Sequence, residues 1–128
     1  MMADVCSRRN QMNADALKAR TKEFALRIIK LTSALPNNKA CDVLGRQILK
    51  SGTSIGANYR EAQRASSKRH FISIIEIAQR EADETLYWLE LLSESGLVKR
   101  EQLTKLDKEA DELLAILTAI SRSAKQKH

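Results

Sequence analysis

A chain of 128 residues with 43% hydrophobic and 30% charged side chains has the size and balance of one globular domain with an ordinary core. One Pro, four Gly and 4% aromatics exclude a β-rich fold, which needs turn residues and aromatic strands. A net charge of +6 directs attention to polyanionic partners.

The charge is segregated. Residues 1–34 carry seven Lys/Arg against three acids, and residues 60–70 carry four against one. Residues 71–95 reverse the balance, with Arg80 alone against six acids. This pattern suits a polyanion at one end of the molecule, or simply solvated helix faces. Cys6 and Cys41 are too few and too isolated for a disulfide framework or a metal knuckle, and read as free thiols in a reducing compartment. The first residues have no apolar core of the signal-peptide kind, and no apolar run is long enough to span a bilayer. The expectation is a cytoplasmic protein with no membrane partner.

Residues 1–12 have no periodicity and read as a flexible tail. From Asn13, a candidate N-cap, apolar or small residues recur at Leu17, Thr21, Phe24, Ile28, Leu31 and Leu35. Steps that alternate four and three are those of a helix in a left-handed bundle. Pro36 ends this helix, because it lacks an amide donor and biases Leu35 away from helical geometry. A second helix, about 39–62, has the seam Leu44, Ile48, Ser51, Ile55, Asn58 and Ala62. Small residues concentrate on it at Ser51, Gly52 and Gly56. Each helical Gly costs about 1 kcal/mol relative to Ala, so the pattern predicts close approach of a neighbouring helix. A phosphate-cradling loop is the sharper alternative, but no strand precedes the segment and no Gly-Lys-Ser/Thr ends it.

A turn over residues 63–67 offers Ser66 or Ser67 as cap to a third helix, about 67–94. Its first stripe is Phe71, Ile75, Ala78, Ala82, Thr85, Leu89 and Leu92. A second stripe contains Ile74, Ile77, Glu81, Glu84, Trp88 and Leu91. Two stripes imply burial on two sides, so Ile74, Ile77, Trp88 and Leu91 are candidates for a subunit interface. Gly96 suits the left-handed position after the helix end. A fourth helix, about 100–124, carries Leu103, Leu106, Ala110, Leu113, Leu117, Ile120 and Ala124. Four such helices with short turns over 13–125 give an all-α, antiparallel, up-down-up-down, left-handed four-helix bundle.

Arg46-Gln47-Ile48, Ser51, Thr53-Ser54-Ile55-Gly56-Ala57-Asn58, Glu61, Ala78 and Glu84-Thr85 resemble a bacterial four-helix-bundle family first noticed as reading frames in intervening sequences of 23S ribosomal RNA genes. The likeness is close over the second and third helices and rests on hydrophobic pattern in the first and fourth. It implies ring-like homopentamers of antiparallel bundles, with molecular function largely unassigned. A related branch, the accessory variability determinants of diversity-generating retroelements, forms basic pentameric barrels that bind nucleic acid and a reverse transcriptase. That role carries over only as analogy, since fold does not fix function. Arg60, and Ala62-Gln63 after Glu61 where relatives often place Gly, depart from the pattern.

Asn58, Glu61 and Glu84 are the polar residues on or near the seams, and buried polar groups need partners. They read as a buried network fixing helix register; catalytic carboxylates compete, but no His, Cys or Lys sits in register to complete an acid–base pair. Bundle di-iron sites need two Glu-x-x-His pairs, and this sequence has none, its histidines being His70 and His128. No cofactor or metal is expected. Arg60, Arg64, Lys68, Arg69 and His70 cluster around the second turn, and three of them start a helix whose dipole disfavours cations. This reads as an anion or nucleic-acid site, against the plainer reading of a solubilising turn. With few aromatics free to stack, such binding should be phosphate-led and salt-sensitive. The resulting expectation is a non-catalytic oligomer that binds structured RNA or DNA; the alternative is a scaffold that docks an acidic protein.

Overall fold

A computed structural model describes residues 2–126, with side chains from residue 13. Four helices, α1 (Met2–Ser33), α2 (Lys39–Ala62), α3 (Lys68–Glu94) and α4 (Arg100–Gln126), form an all-α four-helix bundle. The core lies along the expected stripes. Phe24, Ile28, Ile48, Ile55, Ile75, Leu89, Leu103, Leu113 and Leu117 are fully buried.

The helix ends follow local chemistry. Asn38 caps α2 by accepting from the Cys41 amide at 2.8 Å. Ser67 caps α3 by accepting from the His70 amide at 3.1 Å. Gly96 closes α3 with φ of +78°, where a side chain would be strained. The first helix differs from expectation. It starts at Met2, not Asn13, so helical backbone replaces the tail expected before Asn13. No Pro or Gly occurs between Ala3 and Met12, and a helix once nucleated propagates through Ala, Arg, Gln and Met.

Close packing of α1 on α2 depends on glycine. A Cβ at Gly52 would stand 2.9 Å from Ile28 Cγ1, and one at Gly56 would stand 3.0 Å from Thr21 Oγ1 and 3.2 Å from its Cβ. Ser51 faces the other neighbour, α3, where its Oγ lies 2.8 Å from Thr85 Oγ1. Both hydroxyls are buried, and each also reaches a carbonyl of its own helix, Ile48 and Glu81 respectively. This pair is the buried polar link between α2 and α3 among the described residues. By contrast α1 touches α4 least of any neighbouring pair.

Candidate nucleic-acid interface

The turn between α2 and α3 holds the basic cluster. Arg60 lies in the last turn of α2, where a cation suits the helix dipole, and Lys68, Arg69 and His70 form the first turn of α3, which contains no acid. With Arg64 in the turn itself, all five side chains are exposed. None of them takes part in an ion pair among the described residues. Their charge is therefore uncompensated and directed to solvent, an arrangement that attracts phosphate and is screened by salt.

The three polar seam residues do not make a buried network within the chain. Asn58 is half-buried and donates its side-chain amide to the Ser54 carbonyl at 2.8 Å, while Glu61 and Glu84 are exposed. The inward position goes to Tyr59, only 3% exposed. The buried residues Cys41, Gly45, Ile48, Gly52, Ile55, Tyr59 and Ala62 also alternate four and three, so beyond Ile55 the seam continues through Tyr59, four residues on, and Asn58 lies beside it. Burial raises the pKa of the Tyr59 phenol, with the Asp15 charge adding to the effect. Glu81, which shares the outer stripe of α3 with Glu84, is also raised, chiefly by burial and then by Glu84.

Of the interface candidates, Ile74 is only 4% exposed and already belongs to the core, so it offers nothing to another subunit. It adjoins the first stripe and is covered within the bundle. Ile77, Trp88 and Leu91 are half-buried. Trp88 Nε1 is buried with no hydrogen-bond partner among the described residues, and the ring centroid lies 5.2 Å from that of Tyr87, itself exposed. The most exposed aliphatic side chains lie elsewhere, at Leu26 and Ile29 on α1 and Val43 and Leu49 on α2.

The loosely packed seam between α1 and α4 was not foreseen. Arg20 spans it as a fork, with Nε and Nη2 each 2.7 Å from the two Glu109 carboxylate oxygens, and Nη2 also 2.7 Å from Glu112. These hydrogen bonds hold the Glu109 carboxyl below the usual carboxylate range. On one side of the fork a cleft of about 870 Å³ opens between Ala14–Arg20 and Ile116–Ala124. On the other, a hollow of about 730 Å³ lies between Arg27–Pro36 and Gly96–Leu106. Charges flanking a seam are the available sequence signal: Arg20 adjoins Thr21, and Glu109 and Glu112 adjoin Ala110 and Leu113. Among the described residues, no three His, Cys, Asp or Glu side chains gather as metal ligands. No helix is long and apolar enough to cross a membrane.

No curated protein matches the chain. A crystal structure of a protein of unknown function from the S23 ribosomal protein family of Bacteroides thetaiotaomicron is similar, with 42% identity and a TM-score of 0.80. The match covers 85% of this chain and 97% of that one. The model of the 23S rRNA-intervening sequence proteins matches residues 16–119. With the four helices and their glycine-dependent packing in place, the chain belongs to the 23S rRNA-intervening sequence protein family.

Proposed function

We propose that the protein is a non-catalytic, oligomeric helical bundle that binds structured RNA or DNA through the basic turn between α2 and α3. The observation that carries this reading is the exposed set Arg60, Arg64, Lys68, Arg69 and His70, free of ion pairs and set around a helix start without an acid. Exposed apolar side chains on α1, α2 and α3 support association of copies, for which the family resemblance suggests a ring of five. Assembly would repeat the basic turn and multiply a weak phosphate contact into useful avidity.

Gel retardation of a structured RNA and of duplex DNA tests the reading. Retention should fall with salt at a log–log slope of roughly −3 to −4 for the four full cations of one subunit, at about 0.9 per phosphate. Replacing Arg64, Lys68 and Arg69 together by Glu should abolish retention while light scattering reports unchanged mass. Lack of retention at 50 mM salt defeats the nucleic-acid reading and leaves a scaffold that docks an acidic protein. Retention unaffected by the triple substitution removes this turn from the role.

A further inference from the structure

The cleft between α1 and α4 shares Lys68 with the basic turn, but its walls have a different chemistry. Its volume of about 870 Å³ falls in the range of small-molecule sites. Leu17 of α1, Ile116 and Ile120 of α4, and Phe71 of α3 give it apolar walls, with Asn13, Gln63 and Ser123 as polar neighbours. From Ile116 to Ala124 the α4 wall extends about 12 Å at 1.5 Å per residue. Two cations border it. The Arg20 guanidinium is engaged by Glu109 and Glu112, whereas Lys68 is exposed and in no ion pair among the described residues. A slot with aliphatic and aromatic walls and, among the described residues, the Lys68 ammonium at its rim is complementary to a chain with a negative head.

We infer that this cleft binds one acyl chain of an anionic amphiphile, the chain along Ile116 and Ile120 and the carboxylate or phosphate head at Lys68. The inference does not rest on the nucleic-acid reading. The acyl chain would be removed from water against aliphatic walls, and the head would keep its solvent exposure while gaining the ammonium. Ala119 lines the cleft from an exposed position, so a larger side chain there fills the slot without entering the core.

Calorimetric titration of the full chain with octanoate, decanoate and dodecanoate below micelle formation tests this. One site per chain is expected, with Kd tightening by up to about fourfold per added methylene. Dodecanol, lacking the charge, should bind at least several-fold more weakly than dodecanoate. Ala119→Trp should abolish binding with the circular dichroism spectrum intact, and Lys68→Glu should weaken dodecanoate about tenfold. Flotation with phosphatidylglycerol vesicles separates the sources of such a chain. Flotation that Ala119→Trp removes identifies a membrane lipid; dodecanoate binding without flotation identifies a free acid. Absence of both dodecanoate binding and flotation overturns the inference, as does binding that ignores chain length or survives Ala119→Trp.

Discussion

Replacing the α2 glycines one at a time by alanine measures how tightly α1 is held, because two opposing effects can be weighed at each position. Helix propensity alone favours alanine by about 1 kcal/mol. At Gly45 the new Cβ would meet Leu35 Cδ1 at 3.1 Å, the far end of a half-buried and flexible side chain. Leu35 can turn aside, so Gly45→Ala should be neutral or stabilising by up to about 1 kcal/mol. At Gly52 it would meet two γ-carbons of Ile28 at 2.9 and 3.0 Å and Cβ at 3.3 Å. Ile28 is fully buried, and a β-branched side chain in a helix has one favoured χ1, so no rotation relieves all three contacts. At Gly56 the obstacle is Thr21 Oγ1 at 3.0 Å and Cβ at 3.2 Å, backed by its main-chain carbon at 3.5 Å. Overpacking costs about 1–3 kcal/mol, which after the propensity gain leaves a net loss of about 0–2 kcal/mol at Gly52 and Gly56. Urea unfolding followed by circular dichroism, at one protein concentration because any association would add apparent stability, gives the three values. Gly52→Ala and Gly56→Ala variants as stable as Gly45→Ala would refute the close-packing argument.

The Ser51–Thr85 pair should behave as a unit. Thr85→Val leaves Ser51 without its cross-helix partner and should cost about 1–2 kcal/mol, whereas adding Ser51→Ala should recover part of that loss in a double-mutant cycle. The Arg20 fork predicts an acid dependence. Glu109 is depressed when folded, so its contribution is complete above the unfolded carboxylate pKa near about 4.3 and disappears as pH falls through the lower folded value. Arg20 is 38% exposed, which limits the effect to about 0.5–1 kcal/mol. Arg20→Gln should therefore be less stable than the native chain at pH 6, and the difference should shrink as pH falls below the unfolded carboxylate pKa, measured by urea midpoints. Association through the exposed apolar residues predicts that Leu26→Lys with Leu49→Lys lowers the mass seen by light scattering without loss of helix content; an unchanged assembled mass would place the contact elsewhere.

The fold was legible because a bundle writes its contacts into helical periodicity. The Gly96 stop, the first stripe of α3 and the stripe of α4 match the sequence reading. What failed was rotation about an axis and pairing between axes. A four-three template fits two registers on α2, and it placed Asn58 on the seam where Tyr59, four residues after Ile55, turns inward. It assigned Ile74 to an outer stripe although the bundle covers it. Glu61 and Glu84 lie in solvent because an extra fraction of a turn separates a position beside the seam from one on it. The basic turn needed only adjacency in sequence, so its exposure could be anticipated. The cleft needed the distance between α1 and α4, which no single helix records.

That distance follows from the same small residues. On α2, glycine lets Ile28 and Thr21 of α1 rest against the helix backbone. The α4 sequence from Arg100 to Gln126 contains no glycine, and it turns Leu103, Leu106, Leu113 and Leu117 into the core. Leucine side chains stand between helix axes as spacers, so α1 settles toward the neighbour that permits nearer approach. On its other side α1 makes its fewest contacts, with α4. A guanidinium on a long stem can span such a seam and bond two carboxylates at once, as Arg20 does with Glu109 and Glu112. The cleft, its neighbouring hollow and the fork between them are thus consequences of one asymmetry, glycine on α2 and leucine on α4.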